Sequence, residues 1–166
     1  MNIAMWKKAL QVIPSVTKEK WDTLDLISRW LISTRSAVLV MTFISSALAG
    51  LFALRDGAFR PLPWLIMTVG LLLGHATNNL VNDYTDFVRG VDKDNYFRSM
   101  YGPQPVAHGL MTLRQLLVFC CVTGALVVAC AIALFVVDGW DWTVLALLGA
   151  GAFWSRTRMW PRPRWS

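Results

Sequence analysis

The feature that most constrains the fold is a set of long runs without charged side chains. Residues 36–54, 62–82 and 115–137 contain no Asp, Glu, Lys or Arg. A helix needs about 20 mostly apolar residues to cross the hydrocarbon core of a bilayer, so each run is long enough to span it. The runs therefore predict an all-α, integral membrane helical bundle.

A shorter apolar run near the end predicts a fourth span at about 140–156. Its uncharged part, residues 142–154, would rise only about 20 Å as a helix, against a core of about 30 Å. The span must therefore borrow flanking residues, with arginine side chains reaching to the interface. We divide the chain into an interfacial N-terminal segment at 1–35, a transmembrane domain at 36–158 and a basic tail at 159–166.

Composition and charge agree with a membrane protein. The chain is 55% hydrophobic with a mean hydropathy of +0.47, which is too apolar for an ordinary soluble domain. Its net charge of +6 does not indicate nucleic-acid binding, because the basic residues flank apolar runs. If the N-terminus is in the cytoplasm, only Arg55 and Arg60 of the sixteen basic residues lie in loops on the outer side of the membrane. We expect a multi-pass protein of the inner (cytoplasmic) membrane, surrounded by lipid, with both ends inside.

The N-terminal segment carries its own helical pattern. Apolar residues recur at Trp21, Leu24, Ile27 and Leu31, while charged residues occupy the positions between them. This spacing predicts one amphipathic helix over 21–32, lying at the membrane interface before the first span. A cytosolic lead-in without a role fits the same pattern equally well.

Six polar side chains gather at the end of the second span. At helical period, four of them form one stripe and two lie beside it: His75, Asn78, Asn82 and Asp86, then Asn79 and Asp83. Asn and Asp are costly in hydrocarbon unless they have partners, so the cluster predicts a functional site. Carboxylates with amide oxygens suit a hard cation such as Mg²⁺, especially one shared with a phosphorylated substrate. Helix–helix hydrogen bonding is the alternative, and for His75 it is favoured over metal binding.

The segment NDYTDFVRGVD, residues 82–92, resembles the first Asp-rich motif of the UbiA-type membrane prenyltransferases. The preceding Asn78 and the Gly-Val-Asp that ends the segment are most similar to the 1,4-dihydroxy-2-naphthoate polyprenyltransferase branch of menaquinone synthesis. The resemblance covers roughly residues 26–154. It implies a Mg²⁺-dependent transferase that moves a polyprenyl group from a prenyl diphosphate to an aromatic acceptor.

The resemblance also implies residue roles. Asp83 and Asp86 would be the catalytic carboxylates and metal ligands, with Asn82 as a neutral oxygen donor. Asp92 is a further metal ligand, although some family members place a third Asp where this chain has Gly90. The diphosphate would be bound by Asn78, Arg89, Lys93 and Arg98. The three basic residues among these serve equally well as topology determinants.

One departure from the family bears on activity. Family members are nearly twice as long and carry a second Asp-rich motif, whereas this chain has only Asp138 and Asp141 beyond Asp94. The resemblance is therefore to the N-terminal half, and we expect a half-enzyme whose missing ligands come from a homo-oligomer or a separately encoded second half. The basic tail is either a native anchor or the product of a truncation or frame change, and the second is favoured because the apolar pattern stops within a span.

Two other functions stay open from the sequence. The first is a catalytically inactive remnant that binds lipid or diphosphate. The second is a small transporter, which is disfavoured because the interiors of spans one and three carry only Ser, Thr and Cys as polar residues.

Overall fold

A computed structural model describes residues 2–90, residues 104–138 and Gly149. All regular structure in these residues is helical, which confirms the all-α expectation. The elements are α1 (Ile3–Gln11), α2 (Lys18–Asp22), α3 (Leu26–Ser33), a 3₁₀ turn (Ser36–Val38), α4 (Leu39–Arg55), α5 (Pro61–Val88) and α6 (Leu113–Asp138).

Three segments are long and apolar enough to cross a membrane: Ser36–Arg55, Pro61–Val88 and Leu113–Asp138. They coincide with the spans predicted at 36–54, 62–82 and 115–137, so the multi-pass bundle is confirmed in the described part of the chain. The predicted fourth span at 140–156, apart from Gly149, and the basic tail at 159–166 lie outside the described residues.

Helix α5 is longer than the uncharged run predicted. It begins at Pro61, where a missing backbone N–H costs nothing, and it runs to Val88, six residues past the predicted end. Gly90 then adopts a left-handed conformation (φ 68°) that ends the helix. The Asp-rich motif is therefore helical through Val88, and the directions of Asp83 and Asp86 are set by the helix itself.

Among the three long helices, α5 contacts both of the others, and it contacts α6 more extensively than α4. At Gly70 of α5, an added Cβ would lie 3.3 Å from Cβ of Cys130 on α6. Close approach through small residues is typical of helix packing in membranes. Large apolar side chains such as Met41, Leu51 and Val136 point outward, as contact with lipid requires.

Residues 3–38, which we call the N-terminal cap, fold back onto one end of this bundle. They form a hydrophobic cluster with α5, α6 and the residues just before α6. Its members are Met5, Ala9, Trp21, Leu24, Ile32, Leu80, Leu110, Met111 and Leu116. The indole N–H of Trp30 donates to Oγ1 of Thr123 on α6 at 2.9 Å, and Nζ of Lys18 donates to the carbonyl of Leu110 at 3.0 Å. The N-terminal cap is therefore packed against the helical bundle.

The single amphipathic helix predicted over 21–32 is wrong. The structure divides it into α2 and α3, and Trp21 and Leu24 are buried while Ile27 is 48% exposed. The break lies at Asp25, whose carboxylate accepts a hydrogen bond from the backbone N–H of Ser28 at 3.0 Å. Asp stabilises a helix more as an N-cap than in its interior, so a new helix begins here.

Candidate functional site

The polar cluster lies on the part of α5 that is nearest the N-terminal cap, and its two carboxylates are buried. Asp83 and Asp86, three residues apart, are 7% and 4% exposed. The other four members, His75, Asn78, Asn79 and Asn82, are half-buried. None of the six side chains faces fully outward, which is the arrangement that the cost of exposing them to hydrocarbon favours.

Two consecutive turns of α5 hold the junction between α3 and α4. Asn79 donates from Nδ2 to the carbonyl of Thr34 at 2.9 Å. One turn later, Oδ1 of Asp83 accepts from Nη2 of Arg35 at 2.6 Å. A charge-assisted hydrogen bond of this length is among the stronger polar contacts in proteins. Asp83 is therefore an anchor for the N-terminal cap as well as a predicted metal ligand.

A large cavity lies along α5 from Ile66 to Val81, and neither Asp83 nor Asp86 is part of its lining. Its volume is about 950 Å³, within the range of small-molecule sites. The wall is mainly aliphatic, with side chains such as Ile66, Leu71 and Val127. The lining reaches Val81, two residues before Asp83. An apolar chamber and a pair of buried carboxylates thus lie next to each other along one helix.

The few polar groups of the cavity are Thr42, His75, Thr77 and Asn78. Nδ1 of His75 and Oγ1 of Thr42 on α4 form a hydrogen bond of 2.6 Å. The expected hydrogen bond of His75 to a neighbouring helix is therefore present. It fixes the orientation of the imidazole and connects α4 to α5 at the cavity wall.

The structure brings together some predicted site residues and leaves others undescribed. Asp83 and Asp86 lie side by side, Asn82 lies within the same turn, and Asn78 lines the cavity. Arg89 is exposed at the end of α5. Asp92, Lys93 and Arg98 lie outside the described residues.

Sequence reasoning missed two residues that contact the cluster. In the sequence, Arg35 is one of several basic residues that precede the first span, and Thr42 is one of several hydroxyl residues inside it. Arg35 is 48 residues from Asp83, and Thr42 is 33 residues from His75. Local spacing carries no signal at such separations. For Arg35 the sequence does carry one signal of a polar contact, because a cation at the edge of an apolar run needs a partner or water.

The donor set for a metal ion is small in this region. Among the described residues, no group of three or more Asp, Glu, His and Cys side chains is placed to hold a metal ion. Two carboxylates, Asp83 and Asp86, remain as charged oxygen donors at the end of α5. Such a pair suits a cation that also takes ligands from a bound substrate.

Comparison with known proteins adds one finding. The sequence model of the UbiA prenyltransferase family matches residues 43–164, which is most of the chain. The match includes α5 with its Asp-rich motif, and it begins eight residues after Arg35. No curated protein and no solved structure matches the chain.

Proposed function

The chain belongs to the UbiA prenyltransferase family, and from this we propose that it binds a prenyl diphosphate with Mg²⁺ at the end of α5 and transfers the prenyl group to an aromatic acceptor. The observation that carries the proposal is the buried pair Asp83 and Asp86 next to the apolar cavity of about 950 Å³. The carboxylates suit the metal–diphosphate head, and the aliphatic wall suits an isoprenoid chain.

The residues present fit Mg²⁺ as a shared ion. Mg²⁺ in proteins is usually held by one or two carboxylates plus substrate phosphates, with waters completing the octahedron. Asp83 and Asp86 are one turn apart on one helix, which places their Cβ atoms about 5–6 Å from each other. Asn82 adds a neutral oxygen in the same turn, and Asp92 is the further ligand that we propose. When bound, the ion supplies Lewis-acid stabilisation of the departing diphosphate.

The protein's own groups bind and orient the substrate. We assign the diphosphate oxygens to Asn78, Arg89, Lys93 and Arg98, because guanidinium and ammonium groups form charge-assisted hydrogen bonds to phosphate. The aliphatic cavity next to these residues would accommodate the isoprenoid chain. The acceptor that we propose is dihydroxynaphthoate, as in menaquinone synthesis, and hydroxybenzoate is the alternative to test.

We further propose that the protein lies in the inner membrane and that its site is on the cytoplasmic side. The support is the charge distribution, because an N-terminus inside leaves only Arg55 and Arg60 of sixteen basic residues on the outer side. Reporter fusions or cysteine accessibility would test this orientation. Labelling of residues 84–114 from outside the cell would contradict it.

The test of the main proposal is Mg²⁺-dependent binding of a prenyl diphosphate to the purified protein in lipid. Asp83→Ala and Asp86→Ala should each weaken binding by at least about tenfold, since each removes a charged metal ligand. Asp56→Ala is the matched control, because this exposed carboxylate follows α4 at the opposite end of the bundle. Equal binding in all three variants would overturn the proposal.

A second candidate is binding without turnover. The chain has only Asp138 and Asp141 beyond Asp94, and Asp138 forms an ion pair with Arg60 at the far end of the bundle. A diphosphate carries several negative oxygens, so one acidic cluster leaves part of the charge uncompensated. A second copy of the chain, or a second-half partner, would have to supply the remainder.

Turnover with dihydroxynaphthoate or hydroxybenzoate separates the two candidates. Robust turnover that is lost in Asp86→Ala would show a complete enzyme and exclude the binding-only candidate. Metal-dependent binding with no product, lost in both Asp83→Ala and Asp86→Ala, would support binding without turnover.

A further inference from the structure

Arg35 forms an ion pair with Asp83, one of the two carboxylates that we propose as metal ligands. Its Nη2 lies 2.6 Å from Oδ1 of Asp83, and the two side chains are 26% and 8% exposed. A carboxylate with so little contact with water requires a positive charge nearby. Arg35 supplies that charge.

The backbone at Arg35 is held in an unusual conformation. Its φ and ψ are 52° and 51°, and it is the only non-glycine residue with positive φ in the described part of the chain. Its N–H donates to the carbonyl of Ile32 at 3.0 Å, and its carbonyl accepts from Val38 at 2.9 Å. Long side chains rarely adopt this region, and such strain persists where surrounding contacts require it. Here it directs the side chain of Arg35 to α5.

The guanidinium has unused bonding capacity on its inner side. Nε of Arg35 is buried and has no hydrogen-bond acceptor among the described residues. A guanidinium presents five donors in a planar fork that matches phosphate oxygens, so a diphosphate could take Nε and a terminal nitrogen together. A substrate bound to a metal ion at Asp83 would bring such oxygens to this position.

From these contacts we propose that Arg35 is a counter-ion that exchanges partners. It neutralises Asp83 when no metal ion is bound and competes with the metal ion for this carboxylate. It binds the diphosphate once Asp83 has become a ligand of the metal–diphosphate complex. This inference rests on the proposed function. Arg35 lies before residues 43–164, so the family match does not cover it. The exchange keeps Asp83 paired with a cation in both states.

The exchange has a signature that a fixed structural clamp lacks. Removing the Arg35 charge should strengthen binding of a divalent ion alone, because its competitor at Asp83 is gone. The same change should weaken binding of the metal–diphosphate complex, because a diphosphate ligand is lost. A clamp that merely holds the cap would weaken both or affect neither.

Arg35→Asn is the variant of choice, since Asn tolerates a left-handed backbone better than most residues. Mn²⁺ affinity, measured by electron paramagnetic resonance on protein in lipid without substrate, should rise about tenfold. Affinity for a prenyl diphosphate with Mg²⁺ should fall about tenfold. Arg35→Lys keeps the charge but loses the fork, so its Mn²⁺ affinity should stay near that of the parent while diphosphate affinity falls.

Arg29→Asn is the matched control within the N-terminal cap. Arg29 donates to the carbonyls of Trp21 and Asp22 and makes no contact with Asp83 in the described structure, so both affinities should be unchanged. Parallel shifts of both affinities in Arg35→Asn, or no shift, would overturn the exchange while leaving the proposed function intact. If the parent protein shows no Mg²⁺-dependent diphosphate binding, the proposed function and the exchange both fall.

Discussion

The contact between Gly50 of α4 and Trp64 of α5 offers a sharp test of how the spans pack. A methyl group added at residue 50 would lie 2.6 Å from Nε1, 3.1 Å from Cε2 and 3.2 Å from Cδ1 of the Trp64 indole. The first separation is well inside van der Waals contact, and the bulky indole must move. Its N–H donates to the carbonyl of Ser46 at 2.9 Å, so movement also breaks a hydrogen bond.

The magnitude for Gly50→Ala follows from three opposing effects. Overpacking costs typically 1–3 kcal/mol, and loss of the indole hydrogen bond costs about 1 kcal/mol. Replacing a helical Gly by Ala returns about 1 kcal/mol of helix propensity. The free energy of unfolding should therefore fall by about 1–3 kcal/mol.

The assay is reversible unfolding in mixed detergent micelles, followed by tryptophan fluorescence. Gly74→Ala is the matched control, because an added Cβ at that helical glycine meets no atom within 4 Å. It should be as stable as the parent or up to about 1 kcal/mol more stable. Equal stability of Gly50→Ala and Gly74→Ala would contradict the close approach of α4 to Trp64.

Three further outcomes are expected. Thr42→Val removes the hydrogen bond to the imidazole on α5 and should lower the free energy of unfolding by about 1–3 kcal/mol. Thr77→Val, at another position on the cavity wall, should lower it by less than about 1 kcal/mol. Equal unfolding free energies of the two variants would contradict this prediction. Trp30→Phe loses the 2.9 Å bond to Thr123 and should speed limited proteolysis of the N-terminal cap, while an unchanged cleavage rate would show that the bond does not hold the cap. Hydrogen bonds, first from Ser28 and then from Trp6 and Asn2, lower the pKa of Asp25 from 3.8 to about 2. Because folding lowers this pKa, the ionised Asp25 carboxylate stabilises the N-terminal cap fully above about pH 4, and this stabilisation is lost as pH falls through about 2. Unfolding of the cap, monitored by Trp6 fluorescence, should therefore depend on pH in that window in the parent and not in Asp25→Asn.

The candidate site was only partly predictable from the chain. The i, i+3 and i+4 spacings place Asn79 beside Asp83 and Asp83 beside Asp86, since those relations follow from helical geometry alone. What each side chain contacts was not predictable in the same way. Asn79 and Asp83 turn out to hold residues 34 and 35, which lie more than forty positions earlier in the sequence.

The N-terminal cap shows why a periodic pattern was insufficient there. Trp21, Leu24 and Ile27 fit one helix face, yet the capping preference of Asp25 divided that helix and left Ile27 exposed. Two local tendencies competed, and the hydrogen bond from Ser28 to a carboxylate outweighed continuation of the helix.

Local sequence was sufficient to predict the three described spans and to place the Asp-rich motif at the end of the second one. A bilayer requires every backbone group to be paired within a helix, so an uncharged run of nineteen residues or more leaves few alternatives. Which groups meet depends on the tertiary fold: Arg35 contacts Asp83, Thr42 contacts His75, and the N-terminal cap contacts α6. These contacts depend on how helices lie against one another, and that information is distributed over the whole chain rather than carried by any local pattern.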